Sequence, residues 1–108
     1  MQIYKTPLRE FKFLIEDFLN LKESQTLKKL DLETSDLMLI IEEAAKLCEE
    51  TLLPLNQSGD SEGCSFNNGV VTAPKGFKEA YKTFSENGWQ GLKVKEEFGG
   101  QNLPYIMN

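Results

Sequence analysis

Three stretches of this chain carry apolar residues at intervals of three or four, the spacing that places side chains on one face of an α-helix. In the first stretch Thr6 suits a helix cap and Pro7 suits the first helical position. The apolar positions that follow are Leu8, Phe11, Leu14, Ile15, Phe18 and Leu19. A chain patterned in this way folds by packing helices through their apolar faces.

The second stretch predicts a long helix that begins near Thr34 or Ser35 and runs to about Leu52, where Pro54 is expected to stop it. Its predicted buried stripe is Leu37, Ile40, Ile41, Ala44, Leu47 and Cys48. The acidic pairs Glu42-Glu43 and Glu49-Glu50 are assigned to the solvated side of this helix. In this arrangement Cys48 is a small core residue.

The remaining segments are shorter and more polar. Residues 22–26 are polar, and the weaker apolar pattern at 27–32 fits either a short helix or an extended connection. Residues 54–74 are rich in Asn, Gly, Ser and Asp, and Asn68-Gly69 between apolar residues predicts a small β-hairpin with a type I′ turn. A third helix fits 76–87, and Gly88 is placed to end it in a left-handed conformation. The fold class is therefore mainly α, with three to four amphipathic helices, an irregular loop and a small hairpin.

Composition excludes several classes of function. A net charge of −5 argues against nucleic acid or an anionic membrane as a partner, and the single arginine, Arg9, cannot form a phosphate-binding cluster. The chain lacks histidine, and the acidic segment 59–63 lacks the ladder of ligands that a calcium loop needs, so no metal site is predicted. Two cysteines without a signal peptide or a membrane-length apolar run indicate a cytoplasmic protein. Cys48 and Cys64 are expected to be free thiols there, with a disulfide between them as the alternative.

The stretch GWQGLKVKEEFGGQNLP, residues 88–104, contains four glycines and a tryptophan but no His, Cys, Ser or Asp. It therefore offers no obvious nucleophile. Its glycines are expected to set a tight turn that lets helices approach closely, and Trp89 is expected to fill a core. Glycine pairs without a following Lys-Ser or Lys-Thr do not form a phosphate-binding loop. The residue types predict no catalytic residue in the chain.

The order of several landmarks resembles the N-terminal region of the acyl-CoA dehydrogenase family, in the branch that carries an N-terminal extension. The first part of the resemblance is a Y-x-x-P-L-R-x-x-x-F-L pattern, carried by Tyr4, Pro7, Leu8, Arg9, Phe13 and Leu14. The second is a P-L-N-x-x-G-D-x-x-G-C pattern, carried by Pro54, Leu55, Asn56, Gly59, Asp60, Gly63 and Cys64. There follow Pro74, Gly76-Phe77-Lys78, Ala80-Tyr81, Gly88-Trp89, Gly91-Leu92, Glu97-Phe98-Gly99-Gly100-Gln101 and Leu103-Pro104. Lys95 and Asn102 depart from the family's usual proline and glycine, and Asn102 is expected to keep the same turn because Asn tolerates positive φ.

The resemblance implies a division into an N-terminal extension helix at 1–30 and the start of the family's N-terminal helical domain at 31–108. It also implies that the whole enzyme removes hydrogens from the α and β carbons of an acyl-CoA thioester, uses FAD and passes electrons to an electron-transfer flavoprotein. The family's catalytic carboxylate and nearly all its flavin contacts belong to later domains. The segment expected to form part of the acyl-pocket wall is Phe98, Gly99, Gly100, Gln101, Leu103 and Pro104. The residues expected to have structural roles are Pro7, Arg9, Pro54, Asn56, Asp60 and Trp89.

These expectations describe a fragment of a flavoenzyme of fatty acid metabolism that binds no cofactor alone, is inert alone and is incomplete as a folding unit. Its partners would be acyl-CoA, the electron-transfer flavoprotein and the remaining domains of the same enzyme, which would be a homo-oligomer when complete. The alternative is a non-catalytic helical interaction module derived from the same domain. Either protein would use the apolar faces of the helices for binding.

Overall fold

The computed structural model describes residues 3–108 and shows a mainly helical fold with one two-stranded hairpin, as the sequence predicts. Residues 1 and 2 of the expected extension 1–30 lie outside the described part. The α-helices are α1 (Leu8–Lys12), α2 (Gln25–Leu30), α3 (Thr34–Lys46), α4 (Leu53–Glu62) and α5 (Phe77–Glu86). Two π-helical segments, Phe13–Phe18 and Leu47–Leu52, continue α1 and join α3 to α4. The strands are β1 (Ser65–Asn67) and β2 (Val70–Thr72), and short 3₁₀ turns occupy Leu21–Glu23, Trp89–Gly91, Glu96–Phe98 and Tyr105–Met107.

The first helix begins one residue later than the sequence predicts. Pro7 is the capping residue rather than the first helical residue, and the Thr6 side chain does not cap the helix. The reason lies outside the helix, because the Thr6 amide donates a hydrogen bond to the carboxylate of Glu49, 43 residues away. The start of α1 is thus set by a tertiary contact.

The prediction that Pro54 ends the second helix is wrong. The helix passes through a π-helical turn and continues as α4, so the region from residue 54 to 62 is helical rather than a loop. In the π turn the amide of Leu53 donates to the carbonyl of Cys48, five residues back. Pro54 then lies in the first turn of α4, where a missing N–H costs little. The local change in hydrogen bonding lets a proline stand inside an otherwise continuous helical path.

Other local predictions are confirmed. Of the two interpretations left open for the weak pattern at 27–32, the short helix is the one observed, as α2, and the Ser24 hydroxyl accepts a hydrogen bond from the Leu27 amide. In the hairpin, Phe66 pairs with Val71, and Asn68 and Gly69 have the positive φ values of 50° and 78° that a type I′ turn requires. Gly88 follows α5 at φ 78°, in the left-handed region.

The buried core is small. Its members are Ile15, Leu27, Leu37, Met38 and Met107, with Leu21, Leu32, Ile40, Ile41 and Leu103 packed against them. Of the stripe predicted on α3, Leu37 is fully buried, whereas the other five positions are only half-buried; the buried neighbours are Met38 and Ala45. The π-helical segment Phe13–Phe18, α2, α3 and the C-terminal turn meet there and leave most other apolar side chains at the surface.

The described chain is flat and extended for its size. Its dimensions are 56 × 36 × 15 Å, and its radius of gyration of 17.4 Å exceeds the roughly 13 Å expected of a compact domain of this length. Its accessible surface is 8319 Å², against about 6,100 Å² for a typical monomer of this mass. A thickness of 15 Å is little more than one layer of helices. A single layer can bury only one side of each helix.

Candidate functional site

Two apolar grooves follow from this one-layer arrangement. The first, the α4–α5 groove, has a volume of about 550 Å³ and is lined by Tyr4, Cys48, Leu52, Leu53, Leu55, Asn56, Phe77, Ala80, Tyr81 and Phe84. The second, the α1–α3 groove, has a volume of about 440 Å³ and is lined by Tyr4, Thr6, Phe11, Leu14, Ile15, Phe18, Leu19, Ile41, Ala44, Ala45, Cys48, Ile106, Met107 and Asn108. Tyr4 and Cys48 line both grooves, so the two grooves adjoin at these two residues.

Close packing at two glycines shapes the α4–α5 groove. A Cβ atom on Gly59 would lie 2.4 Å from the ring of Phe77, and a Cβ on Gly76 would lie 2.7 Å from Leu55. Both glycines thus let side chains from one helix lie directly against the backbone of the other segment. The aromatic side of α5 is consequently held next to α4, with the Tyr81 side chain still 71% exposed.

Glu49 directly follows Cys48, which lines both grooves, and does not belong to the solvated acidic face that the sequence predicts. Its side chain is only 21% exposed, and its two carboxylate oxygens accept from the Thr6 amide at 2.8 Å and from the Lys5 ammonium at 3.0 Å. The hydrogen bond from the Thr6 amide, reinforced by Lys5, lowers the pKa of Glu49. No helical pattern could reveal this role, because the partners are more than 40 residues away in sequence.

The glycine-rich stretch forms a closed loop. The Gln101 amide donates to the Gly91 carbonyl at 3.0 Å, and the Leu103 amide donates to Leu92 at 2.8 Å. Gly99 has a φ of 85°, and Asn102 has a φ of 54°, as expected for the residue that replaces the family's glycine. The predicted tight turn is confirmed. The backbone segments that it brings close together are two parts of the same loop rather than two helices.

The most crowded backbone approach in the loop is at Gly100. A Cβ there would lie 2.1 Å from the carbonyl oxygen of Val94, and this oxygen accepts a hydrogen bond from the Asn102 amide at 2.8 Å. Only glycine can occupy such a position without moving the backbone. The loop is thus built around one contact that depends on the absence of a side chain.

The six residues predicted for an acyl-pocket wall share this loop but not one environment. Phe98 is 75% exposed, whereas Leu103 is half-buried and packs against the core. Pro104 is also half-buried, and Gln101 is exposed. Phe98 is therefore the large apolar side chain of the set that remains available to another molecule or domain.

The residues predicted to be structural also differ in their surroundings. Trp89 is half-buried and lines a cavity of about 330 Å³ with Leu92, Gln101 and Leu103 among others. Its indole Nε1 is buried and lacks a hydrogen-bond partner within residues 3–108. Asn56 lines the α4–α5 groove, whereas Arg9 and Asp60 are exposed.

The groups present do not fit FAD. Binding its pyrophosphate calls for charged donors, but no Lys or Arg side chain is among the described residues that line the two grooves, whose polar groups are Tyr and Thr hydroxyls and the side-chain amides of Asn56 and Asn108. In the described part of the chain no three His, Cys, Asp or Glu side chains come together as a metal site. Within residues 3–108 both cysteines are free, and no helix has the length and apolar character needed to cross a membrane. The grooves instead suit an apolar partner.

Comparison with known proteins supports the resemblance drawn from the sequence. The chain is 35% identical over 105 residues, 96% of its length, to a protein of Ruegeria pomeroyi named 3-methylmercaptopropionyl-CoA dehydrogenase. The chain spans 18% of the length of that relative. No protein-family profile matches the chain.

Proposed function

We propose that this chain is the N-terminal helical part of an FAD-dependent acyl-CoA dehydrogenase and that other parts of the same enzyme cover its apolar grooves. The similarity to a protein named as a dehydrogenase of an acyl-CoA supports the family. The observation that carries the proposal is the surface area. The described chain exposes about 2,200 Å² more than a typical monomer of its mass.

This excess is large compared with what protein interfaces bury. A standard interface buries roughly 800 Å² on each partner, and obligate interfaces bury more and are more apolar. The exposed side chains here include Phe18 at 71% and Tyr81 at 71%, one from each groove. A permanent neighbour on the scale of a domain, rather than a transient partner, accounts best for the excess surface.

The lining of the grooves indicates what form the neighbour takes. Most lining side chains are apolar, so they offer few partners for the backbone N–H and C=O groups of an extended segment. Each backbone group left buried without a partner would cost about 1–3 kcal/mol. An α-helix satisfies these groups internally and, with a diameter of roughly 10–12 Å, is wide enough to cover a groove. We therefore expect helices of the same enzyme to occupy the grooves.

In the proposed enzyme the glycine loop contributes to the wall of the acyl pocket. Its hydrogen bonds and the crowded contact at Gly100 hold the backbone in one path, and the exposed Phe98 ring is the apolar group it presents. Leu103 anchors the loop to the core. The expected role of Phe98 is to contact the acyl chain, and none of the 108 residues is assigned a catalytic role.

The chemistry is proposed from the family alone. The enzyme would dehydrogenate an acyl-CoA thioester between the α and β carbons with FAD held by later domains. It would then transfer electrons to an electron-transfer flavoprotein as a cytoplasmic homo-oligomer. The named relative's substrate carries a thioether, but the proposal for this chain extends to the acyl-CoA class and no further.

A chimera tests the proposal. This chain would replace the matching 105-residue segment of the Ruegeria pomeroyi dehydrogenase, and the same enzyme without that segment would serve as the negative control. We expect the chimera to retain flavin, measured by absorbance, and to oxidise its acyl-CoA with an artificial electron acceptor. A chimera that is folded but no more active than the deletion control would refute the proposal.

Two exposed tyrosines provide matched variants of the chimera. Tyr81 lines the α4–α5 groove and is 71% exposed, whereas Tyr105 is 78% exposed and lines neither groove. We expect Tyr81→Asp to reduce assembly and flavin retention far more than Tyr105→Asp. Equal effects, together with a partner protein or a second copy bound to the isolated chain, would favour the interaction module.

A further inference from the structure

The segment before α1 is fixed to a remote helix through one carboxylate. Both oxygens of Glu49 are used, one by the Thr6 amide and one by the Lys5 ammonium. Ile3, at the beginning of the described chain, is 88% exposed. The position of this segment, residues 3–7, therefore depends strongly on Glu49. We call this segment the strap.

The strap carries Tyr4 to the place where the two grooves meet. Tyr4 and Cys48 line both grooves, and Cys48 directly precedes Glu49 in the π-helical segment Leu47–Leu52. The bonds from the Thr6 amide and the Lys5 ammonium to Glu49 are the polar contacts that hold the strap against the helix.

We propose that Glu49 latches the strap across the π-helical segment and that Tyr4, held in this way, covers the Cys48 thiol and separates the two grooves. Release of the latch joins the grooves into one continuous apolar channel and exposes the thiol. The latch is independent of the proposed function, since it rests only on contacts within this chain. Its failure would leave the chimera experiment unaffected.

The two cysteines supply the assay. Cys48 is half-buried at the proposed latch, and Cys64 is exposed beyond α4 and serves as an internal standard. The measured quantity is the rate of alkylation of Cys48 by iodoacetamide relative to Cys64, followed by mass spectrometry of peptides from the 108-residue chain. Amide hydrogen exchange of Thr6 is measured in parallel, with the buried Leu37 as the reference for global folding.

Two variants distinguish covering of the Cys48 thiol by Tyr4 from the effect of the Glu49 charge on that thiol. Glu49→Ala removes the latch together with a negative charge, whereas Tyr4→Ala removes the cover without a change in charge. We expect relative alkylation of Cys48 to rise at least fivefold in both variants. We also expect Thr6 exchange to rise at least tenfold in Glu49→Ala, while Glu50→Ala, at an exposed neighbouring position, changes neither rate by more than twofold.

Each other result would overturn the latch. A rise in Glu49→Ala alone would show a charge effect on the thiol, and a rise in Tyr4→Ala alone would show that packing holds the strap without Glu49. A Thr6 amide that exchanges freely in the parent chain while the Leu37 amide stays protected would show that the latch does not form. Faster alkylation accompanied by loss of Leu37 protection would show global unfolding rather than local release.

Discussion

Replacing Gly100 with alanine is expected to open the glycine loop far more than replacing the adjacent Gly99. Glycine is required at the two positions for different physical reasons. Gly99 has a φ of 85°, which is unfavourable for other residues, but a Cβ added there would meet no atom within 4 Å. At Gly100 an added Cβ would collide with Val94. The comparison therefore separates an unfavourable backbone conformation from a collision.

The magnitudes follow from the contacts. A Cβ on Gly100 would lie 2.1 Å from the Val94 oxygen and 2.4 Å from its carbonyl carbon, so the peptide must move by more than 1 Å to reach an ordinary contact of about 3.4 Å. That shift breaks the bond from the Asn102 amide, worth about 1 kcal/mol, and adds a packing cost of about 1–3 kcal/mol. The expected loss is about 2–4 kcal/mol for Gly100→Ala, against about 1–2 kcal/mol for alanine in the left-handed region at Gly99.

Residue-resolved hydrogen exchange measures these losses without requiring a cooperative global transition. A loss of about 2–4 kcal/mol in the free energy of loop opening corresponds to exchange about 30- to 1,000-fold faster at the amides of Gln101, Asn102 and Leu103. For Gly99→Ala the expected increase is about 5- to 30-fold. The reasoning fails if Gly99→Ala opens the loop as much as Gly100→Ala, because the collision with Val94 would then add nothing to the free energy of loop opening.

Three further predictions concern the helices. Leu37 is fully buried in the core, and Leu37→Ala is expected to lower the free energy of opening of α3, measured by amide exchange, by about 2–5 kcal/mol. Leu39 is 61% exposed on the same helix, and Leu39→Ala is expected to lower it by less than about 0.5 kcal/mol. Pro54→Ala is expected to leave far-UV circular dichroism unchanged, because the helix already continues through this residue; a clear gain in helicity would show that proline terminates it. The pKa of Glu49 lies below its ordinary value of 4.5, so its stabilising contribution is present above that pH and is lost as pH falls through the lower folded value. Protection of the Thr6 amide is expected to follow the same titration, and protection that does not fall at any acidic pH at which the chain stays folded would contradict it.

Features set by local backbone preference could be predicted from the sequence. Asn68-Gly69, Gly88 and Asn102 all adopt the positive φ values that their residue types favour. Such preferences act over one or two residues and do not depend on the rest of the fold. The helical periodicity likewise indicated the mainly α class, because three segments repeat the same spacing.

Features that depend on tertiary contacts could not be predicted in this way. The π-helical turn before Pro54 replaces the hydrogen-bonding pattern on which the rule for proline rests. Glu49 was assigned to the solvated side of its helix as one half of the acidic pair Glu49-Glu50, but its true partners lie on a segment more than 40 residues away. Apart from the fully buried Leu37, the stripe predicted on the second helix is only half-buried because a one-layer arrangement leaves one side of the helix without a neighbour.

The most direct test of the account is hydroxyl-radical footprinting of the groove side chains in the isolated chain and in the chimera. The central claim is that other parts of an acyl-CoA dehydrogenase cover these grooves. We expect oxidation of Tyr81, Phe84 and Phe18 to be several-fold slower in the flavin-loaded, active chimera than in the isolated chain. An active chimera in which these side chains are oxidised as fast as in the isolated chain would contradict the claim.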